Sequence, residues 1–226
     1  MVIAAVLSVW FVARAHIKYS TDASLTIALF VMTSNFAMMF SGLRQAIAIS
    51  LSFVAFEFVR KKKLLPFLAI TFLAILFHTS AFMILFMYPL YHLRITRSWM
   101  LIIVPLLGLL FVFNAPIFNY LTAIMSRFTD YEAGISSTGA YTMLILYGLL
   151  AVFAYVVPDE RALAADPDAI GLRNFLLMSV ALQMFAPLHT LAMRMNYYYM
   201  AFVPLAIPMV IEYRSHRWQV VDDLPF

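Results

Sequence analysis

The chain is a succession of apolar runs separated by single or clustered charges. Residues 1–13, 23–43, 45–59, 64–93, 98–126, 133–158, 174–193 and 195–211 contain no Asp, Glu, Lys or Arg except Glu57. A charged side chain near a bilayer centre costs roughly 3 kcal/mol, so these runs map the expected membrane crossings. Their apolar character is continuous and lacks the alternation of a membrane β-strand, and an isolated span must satisfy its own backbone hydrogen bonds. Helix is therefore the predicted state. At roughly 20 residues per crossing, the expectation is an all-α polytopic membrane protein, a bundle of about eight or nine hydrophobic helices. No internal repeat or low-complexity linker divides it, so 1–226 reads as a single integral membrane domain.

Several runs need interpretation. Residues 1–13 are apolar from the start, without a basic leader or cleavage site, and read as a truncated first span. Run 64–93 would be about 45 Å long as one helix, too long for a core of roughly 30 Å. It is interrupted by His78, Thr79 and Ser80. Run 98–126 contains Asn114, Ala115 and Pro116, which predicts a span ending near Asn114 and an amphipathic interfacial helix over 116–128. The 115–140 connection is then the longest loop. The polar stretch 159–173 is too short for a domain, and 212–226 forms a tail.

Composition narrows the class. Hydrophobic residues make up 65% of the chain and charged residues 12%, with a mean hydropathy of +0.92. Soluble domains are about half apolar and about a quarter charged, which excludes a cytosolic enzyme, a secreted domain and a nucleic-acid binder. There is no cysteine, hence no disulfide, thiolate metal site or cysteine nucleophile. The chain shows no metal-ligand constellation, and neither a metal nor another cofactor is expected.

Basic residues decide the topology. The cluster Arg60, Lys61, Lys62 and Lys63 marks a cytoplasmic turn by the positive-inside rule. If 64–93 crosses once, the fifteen basic residues divide almost evenly between the two sides. If it is a helical hairpin turning at His78, twelve lie inside and only Arg44, Arg127 and Arg194 lie outside. The hairpin is the better reading, with arms that form either tilted short crossings or a re-entrant pair. The tail 212–226 is then cytoplasmic, and 115–140 is an outer loop carrying Asp130 and Glu132. Arginine offers a planar fork of donors suited to phosphate oxygens, so three outward arginines point to an anion.

The segment Gly42-Leu43-Arg44-Gln45-Ala46-Ile47-Ala48, the basic turn after Val59, and Phe77-His78-Thr79-Ser80-Ala81 together resemble the EpsG family of Wzy-like polysaccharide polymerases. Arg194 followed by Tyr197, Tyr198 and Tyr199, with Pro204 beyond, resembles that family's closing segment. The likeness covers roughly 17–214, and family members usually have further spans before this region. It implies a multi-pass glycosyltransferase of the bacterial inner membrane, acting at the outer face to polymerise oligosaccharide repeat units carried on undecaprenyl diphosphate. The products would be exopolysaccharide, capsule or O-antigen. Membrane lipids and a chain-length regulator would be its other partners.

Such a transfer needs a leaving group stabilised as an anion and an acceptor for a hydroxyl proton. Arg44 and Arg194 are the expected charge clamp, with Arg127 as a third substrate-binding arginine and Gln45 as an added amide donor. His78 is the expected general base, with Asp130 and Glu132 as rivals. Tyr197 and Tyr198 are placed to stack on sugar rings. A glycan ligase, a lipid-linked glycan flippase or transporter, and a non-catalytic fragment remain as alternatives. Glu57 reads instead as an i,i+4 partner of Lys61.

Overall fold

The apolar runs fold as helices, but they break at positions that charge alone does not mark. The computed structural model describes residues 2–124 and 137–214. The order is α1 (Val2–Tyr19), α2 (Ala23–Met32), α3 (Ser34–Ser41), α4 (Leu43–Arg60), α5 (Leu64–Phe77), a 3-10 segment (Thr79–Phe86) and α6 (Met87–His92). A 3-10 turn (Arg97–Trp99) then precedes α7 (Met100–Val112), α8 (Asn114–Ile124), α9 (Ser137–Val156), α10 (Glu160–Leu163), α11 (Pro167–Gln183), α12 (Thr190–Met200) and α13 (Val203–Glu212). Among the described residues there is no strand, only an isolated bridge between Pro158 and Arg214.

Several boundaries correct the sequence reading. α1 continues past Arg14 to Tyr19. Run 23–43 is divided at Thr33, where α2 and α3 meet at 58°. α11 begins at Pro167 inside the polar stretch, capped by the Asp166 carboxylate on the Asp168 N–H. Arg194 lies within α12 and not between two spans, because Pro187 ends the preceding turn and His189 caps the new helix. Among the described residues one helix, α9, is long and apolar enough to cross a membrane alone, or up to three spans are if each of two bent pairs counts as one. The predicted tally of eight or nine counted runs, several of which the chain breaks into shorter helices. α7 has no buried residue and exposes Leu101, Ile102, Val104, Leu106 and Val112, a helix apolar on all sides whose natural solvent is lipid. This is a membrane protein.

The chain reverses at His78. Phe67, early in α5, meets Tyr88, late on the returning arm, with ring centroids 5.3 Å apart. The returning arm is 3-10 for eight residues before α6, and 3-10 helix rises about 2.0 Å per residue against 1.5 Å for α. The second arm therefore reaches further than its residue number as α-helix implies.

Two features hold the bundle. An aromatic cluster joins α4, α6, α11 and the α12–α13 joint, with Phe53 stacked on Phe202 at 4.3 Å and Phe56 edge-on to Tyr91 at 5.6 Å. At that joint, Ala201–Phe202, and in the first turn of α13, backbone carbonyls lose their helical donors, in part because Pro204 and Pro208 have no N–H, and neighbouring side chains replace them. Asn35 donates to Met200 O (3.0 Å), His16 to Ala201 O (2.9 Å) and Thr26 to Pro204 O (3.1 Å). A break inside an apolar bundle requires such substitutes.

The end of the bundle that carries Lys61 is a layer of ionic ties. Glu57 accepts from Lys18 (2.8 Å) and Lys61 (3.1 Å), so the expected Lys61 pair has a second cation. Asp168 binds both Arg60 and the Tyr91 hydroxyl. Arg97 caps the last carbonyls of α9 through Tyr155 O (2.6 Å) and Val156 O (3.1 Å), and reaches Pro158 O (3.1 Å) just beyond the helix. Arg173, fully buried, forks onto Glu160 (2.8 and 2.9 Å) and Ile95 O (2.8 Å) beneath the Tyr155 ring.

Candidate functional site

At the opposite end three separate stretches meet around one open cavity of about 650 Å³. The α3–α4 joint supplies Phe40, Ser41, Gly42, Leu43, Arg44 and Gln45, with Met38 behind it. The hairpin tip supplies His78. α12 supplies Thr190, Met193, Arg194 and Tyr197, spaced i, i+3, i+4 and i+7, which is one helical face. Its opposite face, including Leu191, Asn196, Tyr198 and Tyr199, is buried. Gly42 lets the joint close tightly: a Cβ there would lie 3.1 Å from Met38 Cε.

Arg44 and Arg194, 150 positions apart, thus line the same space. Arg44 is exposed and Arg194 half-buried. Gln45, buried, donates its amide to Arg194 O at 2.6 Å and ties the start of α4 to α12. This interhelical bond stands at the cavity wall.

His78 caps the 3-10 segment. Its Nδ1 receives the Ser80 N–H at 3.3 Å and lies 2.8 Å from Ser80 Oγ. Ser80 Oγ is in turn 3.3 Å from the Tyr198 hydroxyl. Burial, and then the positive charges of Arg194 and Arg44, hold the imidazole pKa below its ordinary value.

The two tyrosines separate. Tyr197 lines the cavity, whereas Tyr198 is fully buried behind it. A sugar cannot stack on a ring enclosed by protein, so in this geometry Tyr198 holds Ser80. Tyr199, buried as well, donates to Met83 O at 2.8 Å. Arg127, Asp130 and Glu132 lie outside the described residues, as does most of the 212–226 tail.

Sequence reasoning missed Met38, Thr190 and Met193 as cavity residues. The α12 face was visible only once the helix is started at His189, and nothing in a charge-run map marks that start. It also missed that His189 repeats the His78 cap, accepting the Leu191 N–H on Nδ1 at 3.1 Å.

No curated protein and no solved structure matches the chain. A family model does match, and it spans residues 1–221, nearly the whole length. Arg44-Gln45 and His78-Thr79-Ser80-Ala81, far apart in sequence, are the stretches that the fold brings to one cavity, and the match runs through both: the chain belongs to the EpsG family.

Proposed function

We propose that this protein is a multi-pass glycosyltransferase of the bacterial inner membrane. It polymerises undecaprenyl-diphosphate-linked oligosaccharide repeat units at the outer face. Membership of the EpsG family supports polysaccharide polymerisation in general. The observation that carries the finer reading is the convergence of Arg44, Arg194 and His78 on one cavity, at the end of the bundle away from the Lys61 turn. The positive-inside rule favours a cytoplasmic side for that turn, and this supports an outer position for the cavity.

In the reaction an acceptor hydroxyl oxygen bonds to the anomeric carbon of the lipid-linked chain. The bond from that carbon to the diphosphate oxygen breaks, and its electron pair stays on the lipid diphosphate. The hydroxyl proton passes to a base, for which His78, Asp130 and Glu132 are the candidates. Arg44 and Arg194 bind the diphosphate and offset the charge that develops as it leaves, a preorganised clamp that needs no metal ion. Arg127 is proposed as a third contact. Tyr197 offers a ring face to a sugar. A cavity of about 650 Å³ lies within the range of small-molecule sites, roughly 300–1,000 Å³, and suits the diphosphate and its nearest sugars. A chain-length regulator is the proposed protein partner.

Purified protein in detergent, supplied with synthetic lipid-linked repeat units, tests this reading because detergent offers no second side to transport to. Polymer is expected from the wild type. Arg44→Ala and Arg194→Ala are each expected to lower it by about 100-fold or more, the usual effect of removing one charge-stabilising donor. Near-normal polymer from both variants would overturn the clamp.

A further inference from the structure

We infer that His78 meets the lipid diphosphate as a neutral hydrogen-bond donor through Nε2–H, and is not the base. The ligand in this inference rests on the function proposed above. The tautomer rests on geometry alone.

A backbone N–H can only donate. Because the Ser80 N–H is directed at His78 Nδ1 (3.3 Å), that nitrogen must carry its lone pair, and the proton of a neutral ring then resides on Nε2. The Ser80 hydroxyl, 2.8 Å from the same nitrogen, adds a second donor. With its own proton so placed, Ser80 Oγ accepts from the Tyr198 hydroxyl at 3.3 Å. Tyr198, Ser80 and His78 thus form a chain of fixed direction, anchored on two fully buried side chains. Reversing it to put the proton on Nδ1 would set Nδ1–H against the Ser80 N–H.

The same device stands at the start of α12. His189 accepts the Leu191 N–H on Nδ1 at 3.1 Å, in a similarly extended backbone. His78-Thr79-Ser80-Ala81 and His189-Thr190-Leu191-Ala192 are therefore two copies of one capping pattern, His-Thr-x-Ala. What distinguishes His78 is its place. Its ring lines the cavity, and Nε2 has no hydrogen-bond partner among the described residues.

A group of this kind suits an anionic oxygen. Arg44 and Arg194 concentrate anions at the same wall, and their charges favour the uncharged ring. A neutral Nε2–H beside them adds a directional donor without a third positive charge. It holds a diphosphate oxygen through ground state and departure, and transfers no proton. The acceptor hydroxyl's proton then falls to Asp130 or Glu132.

Two substitutions separate capping from donation. Asparagine is a strong helix-start cap and replaces the Nδ1 role but cannot reach the Nε2 position. Glutamine reaches that position with an N–H yet has no basic nitrogen. In the detergent assay His78→Gln is expected to keep activity within about tenfold of wild type, while His78→Asn, equally well folded by thermal melting, falls by about 100-fold, as for loss of a hydrogen bond to a charged group. The fall in wild-type activity on acidification, as the imidazole takes a proton, is expected to vanish in His78→Gln. If Gln and Asn are equally inactive, His78 is the base and the inference is overturned.

The tautomer is read without turnover by nitrogen NMR of the full-length protein labelled at its five histidines. The resonances missing in His78→Asn are expected to show the proton on Nε2, and to shift when inorganic diphosphate is added. A proton on Nδ1, or no shift with diphosphate, would overturn the donor assignment. If wild-type protein makes no polymer yet this spectrum is obtained, the polymerase reading fails and the donor stands.

Discussion

The side-chain amide of Gln45 donates to the main-chain carbonyl of Arg194 at 2.6 Å, so the neighbour of one cavity arginine holds the backbone of the other. The bond spans 149 positions in sequence and joins the start of α4 to the cavity face of α12. Gln45→Leu keeps the apolar packing and removes the bond, whose worth is about 1 kcal/mol. The expected result is a fall of about fivefold in polymer formation at unchanged protein level. Gln45→Glu sets a carboxylate against the carbonyl and is expected to be worse. Both are checked by initial rates in detergent beside immunoblots of the membrane fraction.

Charge alone does not meet the demands of the cavity. A guanidinium binds two phosphate oxygens side by side, whereas an ammonium offers a single point of charge. Arg44→Lys and Arg194→Lys are therefore expected to recover less than about a tenth of wild-type activity, with weaker binding of inorganic diphosphate by calorimetry. Full activity in either lysine variant would show that the site uses positive potential without the fork.

Gly171 is a packing device. A Cβ built there lies 2.1 Å from the Tyr91 ring, and that ring cannot retreat: Phe56 and Phe175 flank it, and its hydroxyl is bound to Asp168. Gly171→Ala is expected to cost about 1–3 kcal/mol, the range for overpacking, seen as a lower Tm in detergent. Combining it with Tyr91→Leu is expected to cost less than the sum of the two single changes, since the smaller side chain vacates the space.

The Arg173–Glu160 pair gives the stability a pH dependence. Burial raises the Glu160 pKa, but the Arg173 hydrogen bond and charge, with contributions from Arg97, outweigh it and leave the value below the ordinary carboxylate range. A carboxylate depressed on folding contributes stability that is complete above its unfolded pKa, about 4.3, and lost as pH falls through the lower folded value. Tm is expected to fall in that acid window for the wild type and to be flatter there in Glu160→Gln. At neutral pH, Glu160→Gln leaves the fully buried Arg173 guanidinium without its counter-charge and is expected to cost about 3 kcal/mol, the lower end for a broken buried pair, whereas Arg173→Ala leaves a partly exposed carboxylate and is expected to cost less.

The same pair shows why part of the fold was hidden in the sequence. Runs between charges locate helices only where a charge ends them. Arg173 does not end α11, because Glu160, Ile95 O and the Tyr155 ring satisfy it within the bundle, and no linear pattern encodes those partners. The break at His78 was legible, since a 30-residue apolar run with a polar triplet at its middle has few other solutions. Arg44 was legible as a candidate, because an arginine against the topological bias needs a reason, and it lines the cavity. Tyr197 and Tyr198 looked alike in sequence. Which of them meets the cavity depends on the register of α12, set by the His189 cap, and adjacent helical positions point about 100° apart.

Sidedness is the premise under the proposed function, and the absence of native cysteine makes it directly measurable. Thr79, exposed at the hairpin tip, is suited to labelling, whereas its neighbour Ser80 is buried and bonded to His78. Ser98, exposed beside the Arg97 cap of α9, reports the other end. A maleimide that cannot cross the membrane is expected to label Thr79→Cys in intact spheroplasts and to label Ser98→Cys only after lysis. If 64–93 crossed once, Ser98→Cys would react from outside, but the Phe67–Tyr88 contact returns the chain to the end it left. The reverse pattern, Ser98→Cys reactive in spheroplasts and Thr79→Cys silent, would place the arginine cavity in the cytoplasm. A polymerase acting on the outer leaflet would then have no route to its substrate.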